Sequence, residues 1–135
     1  MLTRQKVVDA WRRVALTARA WLGLAAFDLA LSTGFSRAHE RVRRTSVRLR
    51  RANAPSTDLI VWAVDEACVW YVKRAACLQR SAVATRLLRR HGVAASLVVG
   101  YRAIPFESHA WVEVDGCIVN DLPQYKKYFI ELERL

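Results

Sequence analysis

The chain has 135 residues, is 53% hydrophobic and is 10% aromatic with five Trp, which suits one small folded domain and argues against a disordered chain. Its three cysteines are an odd number with no Cys-x-x-Cys pair; that argues against a disulfide framework and a thiolate zinc site and points to a reducing, cytoplasmic setting. The formal charge of +10 is lopsided: residues 1–55 hold 12 Lys and Arg against 3 Asp and Glu, a net of +9, and residues 56–135 hold 10 against 9, a net of +1. A basic half can attract nucleic acid, anionic lipid or an acidic peptide, and charge alone does not choose among them.

The spacing of Val7, Val8, Trp11, Val14, Ala15, Ala18, Trp21, Leu22, Ala25 and Leu29 predicts a helix over 5–31, with Arg4, Lys6, Arg12, Arg13 and Arg19 on its other faces. The first reading of this apolar stripe is a core-packing face; the alternative is a docking or membrane-surface face. Arg12, Arg13 and Arg19 interrupt any secretory h-region. The longest apolar run, Ala20 to Phe27, ends at Asp28 and falls short of the roughly 20 residues of a membrane span, so no transmembrane segment is expected.

Ser32-Thr33-Gly34 signals a turn. Arg37 to Arg51 carries seven Arg and one Glu, with Val42, Val47 and Leu49 as a thin apolar pattern. It reads as a solvated helix or linker, with an acidic-partner surface as the lesser alternative. Pro55 disfavours helix just before it, and Ser56, Thr57 or Asp58 can cap a helix over 58–74 built on Leu59, Ile60, Trp62, Ala63, Ala67, Trp70 and Tyr71.

A further helix is predicted over 77–90, with Leu78, Ala82, Val83, Leu87 and Leu88 inward and Arg86, Arg89 and Arg90 toward its C-terminus, where cations complement the dipole. His91-Gly92 is its stop. Val93 to Tyr101 reads as a strand, and 108–114 and 117–121 as a hairpin about the turn Asp115-Gly116. The tail from Tyr125 to Leu135 reads as either a last strand or a short helix. Helices followed by a small antiparallel sheet make an α+β fold, with a basic helical region over 1–55 and the remaining core over 56–135.

Cys77, His109 and Asp121 stand in settings that suit thiol chemistry. A thiolate is the reactive form of cysteine, and a helix start and a neighbouring imidazolium both lower the thiol's pKa. Cys77 opens a predicted helix, His109 lies in a strand, and Asp121 ends the next strand across the hairpin. Pairing of Val114 with Cys117 would put Asp121 opposite Ala110, beside His109, where a carboxylate can fix the ring's tautomer. The Cys77 backbone N–H is a candidate oxyanion donor; Gln79 is polar and near but of unknown direction. Cys68 and Cys117 read as structural, His91 as a helix-end residue and His39 as part of the solvated Arg-rich stretch. The three His and the scattered carboxylates lack metal-ligand spacing, and no cofactor is expected.

Five pieces occur in order: Cys77-Leu78-Gln79-Arg80-Ser81; Arg86-Leu87-Leu88-Arg89-Arg90-His91-Gly92-Val93; Ala95-Ser96-Leu97-Val98-Val99-Gly100; His109-Ala110-Trp111-Val112-Glu113-Val114-Asp115-Gly116; and Val119-Asn120-Asp121. Over about Leu59 to Asp121 the chain resembles the transglutaminase-like domain of the leader peptidases of lasso-peptide biosynthesis. That resemblance implies a papain-like cysteine peptidase on a transglutaminase-like core, which cuts the leader from a ribosomally made precursor peptide before a separate lasso cyclase closes the ring. By transfer, Cys77 would be the nucleophile, His109 the base and acid, and Asp121 the orienting residue. Residues 1–55 show no strand triplet of a winged-helix leader-recognition module. The chain therefore resembles the split form, which implies a separate leader-recognition protein as partner.

Two rival functions differ in class. A transglutaminase-like acyltransferase would pass the same acyl group to an amine. A basic nucleic-acid-binding module would use the N-terminal half, but aromatic residues are not interleaved with the Arg run, and no nucleic acid is expected.

Overall fold

The computed structural model describes Met1 and residues 3–135. Four helices, α1 (Arg4–Ser32), α2 (Phe35–Arg44), α3 (Thr57–Trp70) and α4 (Cys77–Arg90), precede the strands β1 (Ala95–Arg102), β2 (Glu107–Val114) and β3 (Cys117–Ile118). A short helix, α5 (Tyr125–Tyr128), leads into the last strand, β4 (Ile130–Arg134). The sheet is antiparallel in the order β3-β2-β1-β4, which is the expected α+β arrangement.

Local chemistry explains several boundaries. Ser56 caps α3 by accepting the Leu59 N–H at 3.2 Å. Asp115 and Gly116 both have positive φ, 51° and 75°, as a two-residue hairpin turn of the primed type requires. The hairpin pairs Val114 with Cys117, as predicted.

The main core lies between α4 and its neighbours. Leu24 and Phe27 of α1, Ile60 and Val64 of α3, Leu87 and Leu88 of α4, and Leu97 and Val112 of the sheet are buried together. The other face of the sheet carries a smaller cluster of Val98, Trp111 and Phe129, with Ile118 and Tyr125 against it.

Four expectations need correction. The stripe predicted to pack α1 into the core is largely its outer face: Trp11 is 70% exposed, Leu22 62% and Leu29 69%. The buried residues are instead Leu16, Ala20, Leu24, Phe27 and Ala30. At 100° per residue these form a second apolar stripe opposite the first. Its small residues admit close packing; a Cβ on Gly23 would stand only 3.0 Å from Val83 Cγ1. With two apolar faces, α1 is long and apolar enough by length and composition to cross a membrane.

α3 ends at Trp70 rather than continuing to residue 74. Contacts to α1 take over there: the Trp21 indole donates to the Trp70 carbonyl at 3.2 Å, the Tyr71 hydroxyl donates to Asp28, and Lys73 pairs with Asp28 at 2.9 Å. β3 stops at Ile118 and does not extend to Asp121. The Arg-rich stretch is not simply solvated: Ala38 and Val42 of α2 are buried, and His39 lies 3.2 Å from Glu133 of β4. The tail uses both of its alternatives, one helical turn and then a strand.

Candidate active site

α4 begins at Cys77 with Ala76 as its N-cap and no side chain capping it. The first N–H groups of the helix thus have no side-chain cap, and the dipole favours negative charge at that end. The thiol is half-buried. Its pKa is held below the ordinary 9.0, first by the His109 side chain, against the opposing effect of burial, and with further help from the Ala110 and Leu78 backbone. In turn His109 is held above 6.5, chiefly by Cys77 and then by Asp121, against burial. Both shifts favour a thiolate–imidazolium pair.

His109 Nε2 lies 2.8 Å from Asp121 Oδ2, with the two side chains 19% and 16% exposed. Nδ1 is then the ring nitrogen not engaged by the carboxylate. Aromatic rings enclose the imidazole: Tyr125 meets it edge-on with centroids 4.7 Å apart, Phe129 lies at 5.8 Å and Trp111 at 6.3 Å. Gly100 faces His109 across the β1–β2 ladder and makes room for this packing. A Cβ at Gly100 would come within 2.7 Å of Trp111 Cη2 and 2.9 Å of Phe129 Cβ. The buried Glu113 anchors the segment that carries Tyr125 and Phe129, pairing with Lys126 at 2.7 Å and Arg134 at 2.6 Å.

Asp121 reaches His109 although it is not in a strand. Val119 N–H still donates to the Val112 carbonyl at 3.0 Å, but the Val112 N–H goes to Asn120 Oδ1 at 2.8 Å instead of to a main-chain carbonyl. Asn120 Nδ2 donates to Ser81 Oγ at 3.0 Å, and Ser81 donates to the Ala110 carbonyl at 3.1 Å. This buried chain ties β2 to α4 and releases the backbone to turn at Asp121. The Asp121 carboxylate is further held by the Leu122 N–H at 2.9 Å on Oδ1 and by Arg80 Nη2 at 3.0 Å on Oδ2.

Sequence reasoning assigned no role to Arg80, Ser81, Asn120, Trp111, Tyr125 or Phe129. For Arg80 a signal was present: it lies three residues after Cys77 and so one helical turn along the same face. Gln79, the other polar residue near the thiol, is buried and donates to the Leu24 carbonyl at 2.9 Å. It is committed to α1 and is not an oxyanion donor in this arrangement. Cys68 is half-buried in α3, and Cys117 is exposed at the start of β3. His91 caps the end of α4, as expected.

A thiol held low, an imidazole held high and a carboxylate on the imidazole are what thiolate attack, proton transfer and ring alignment would each require. The family model described as Transglutaminase-like superfamily matches residues 20–134. A 50-residue segment is 44% identical to the Microcin J25-processing protein McjB of Escherichia coli, covering 37% of this chain and 24% of that protein. No solved structure matches significantly.

Proposed function

This chain belongs to the transglutaminase-like superfamily, and from that membership we propose that it is a cysteine endopeptidase that removes the leader from a ribosomally synthesised lasso-peptide precursor. The observation that carries the reading is His109, whose Nε2 lies 2.8 Å from Asp121 Oδ2 and whose side chain is the main cause holding the Cys77 thiol below its ordinary pKa. The similarity to a microcin-processing protein supports a peptide precursor as substrate.

In the reaction, the Cys77 thiolate attacks the scissile carbonyl, forming the C–S bond. The developing oxyanion faces the Cys77 backbone N–H at the uncapped start of α4. The imidazolium of His109 gives its proton to the leaving amine as the C–N bond breaks. Water, deprotonated by the now neutral His109, then cleaves the thioester and releases the leader. A separate leader-recognition protein would raise the local concentration of the scissile segment and make cleavage effectively intramolecular. The lasso cyclase would then act on the freed amine.

The test is mass spectrometry of a precursor peptide incubated with the protein, with and without a leader-binding partner, alongside Cys77→Ala. A single cut between leader and core, lost in Cys77→Ala while the variant keeps its fold, is the expected result. Cleavage by Cys77→Ala would sink the assignment. Superfamily membership favours one second reading, capture of the acyl group by an amine; a new amide in place of a hydrolysed leader would identify it.

A further inference from the structure

Two features outside the active site lie side by side on α1. The first is its outer stripe. Val7, Trp11, Val14, Ala18, Leu22 and Leu29 fall within one narrow sector of the helix and are all exposed, a length of roughly 33 Å at 1.5 Å per residue. A contiguous apolar face of this extent marks an interaction surface rather than ordinary surface scatter.

The second feature is a cavity of about 620 Å³ beside that stripe, between α1, the segment 48–55 and the end of α4. Arg12, Arg19, Arg48, Arg51 and Arg90 line it, and no acidic residue does. Among the described residues none of these five is in a salt bridge.

The cavity wall is held in place rather than left loose. Arg48 N–H donates to the Arg89 carbonyl at 2.9 Å, and the Arg50 guanidinium bonds the His91 and Pro55 carbonyls at 2.9 and 3.0 Å. Gly92, at φ 83°, packs so closely on Arg50 that a Cβ would stand 2.4 Å from its Cα. Burial, and then the charges of Arg19, Arg50 and Arg12, hold His91 below its ordinary pKa. On the exposed side of this wall Leu49 is 92% exposed.

We propose that this surface docks the protein on an anionic phospholipid membrane, with lipid phosphates in the arginine cavity and the α1 stripe, together with Leu49, seated at the acyl boundary. Charge complementarity selects this occupant. Guanidinium groups match phosphate geometry, and apolar area plus attraction to anionic lipid is what holds an amphipathic helix in the interface plane. Trp11 near one end of the stripe suits the headgroup level. A second copy is disfavoured, because each α1 carries Arg4, Lys6, Arg12, Arg13 and Arg19 against only Asp9 and Asp28. Nucleic acid would satisfy the arginines and leave the stripe uncovered.

The test is co-sedimentation of the full chain with vesicles of phosphatidylglycerol mixed into phosphatidylcholine, and with phosphatidylcholine alone. The wild-type protein should bind the anionic vesicles far more tightly. Arg19→Gln/Arg48→Gln/Arg51→Gln should weaken that binding on the order of a hundredfold, each arginine near an anionic surface contributing roughly a factor of five. Leu22→Ser/Leu29→Ser, with charge unchanged, should weaken it about tenfold or more. Free glycerol phosphate in the same assay should not displace the protein from the vesicles.

Wild-type binding by the leucine variant would overturn the proposal, since charge alone would then account for attraction. So would a dimer in sedimentation equilibrium that the leucine variant dissolves. Should that variant misfold, quenching of tryptophan fluorescence by brominated lipid in the anionic vesicles reads insertion directly. Quenching equal in wild type and Trp11→Phe would show that the stripe does not enter the membrane.

Discussion

Arg80 Nη2 lies 3.0 Å from Asp121 Oδ2, the same oxygen that meets His109 Nε2. Arg80 also reaches the Asn120 carbonyl at 3.2 Å and Asp65 at 3.3 Å. In the proposed reaction it would be a positioning residue: it joins the turn that carries Asp121 to the helix that carries Cys77. Arg80→Gln should lower kcat on the order of a hundredfold through a small misplacement of the His109 ring, with little change in KM. Arg80→Lys should recover part of that loss. A change confined to KM, or none, would remove Arg80 from this role.

The opposed shifts of Cys77 and His109 predict the pH dependence of thiol alkylation. Removing the imidazolium removes what stabilises the thiolate, so His109→Ala should move the Cys77 midpoint upward toward 9.0. Cys68, pushed above 9.0 by burial and then by Asp65, should remain slow where Cys77 reacts. Iodoacetamide labelling resolved by peptide mass spectrometry across pH gives both midpoints. Equal midpoints for Cys77 in wild type and His109→Ala would contradict the ion pair.

Asn120 is 7% exposed and its amide serves both the Val112 N–H and Ser81. Asn120→Ala leaves that buried N–H unpaired, at a cost of about 1–3 kcal/mol. Denaturant unfolding should show this loss. Activity should fall further than stability explains at a temperature where the variant is still folded, because Asp121 is the next residue. Wild-type stability in Asn120→Ala would show that the ladder has another way to close.

Gly100→Ala tests the aromatic enclosure of His109. The new methyl meets ring carbons of Trp111 and the Cβ of Phe129 inside ordinary contact distance. Overpacking of this kind costs about 1–3 kcal/mol. Thermal melting should report the destabilisation, and peptide cleavage should report displacement of the rings around the imidazole. A neutral effect on both would mean that the rings shift freely.

The sequence by itself determined the α+β order, the helix that opens at Cys77, the stop at His91-Gly92 and the Asp115-Gly116 hairpin. Each of these depends on periodicity, dipole or turn chemistry within a few residues. The approach of Asp121 to His109 across the hairpin was also legible, because the turn at Asp115-Gly116 fixes which residues face each other. Only the tertiary structure decided which of α1's two apolar stripes is buried, since that depends on how closely the small face around Gly23 admits Val83 of α4. It likewise ended β3 at Ile118, through an Asn120–Ser81 bond spanning 39 residues, and set Arg80 on Asp121 across 41. Such choices rest on the fit between elements distant in the chain, and a local pattern carries no record of which distant surface will meet it.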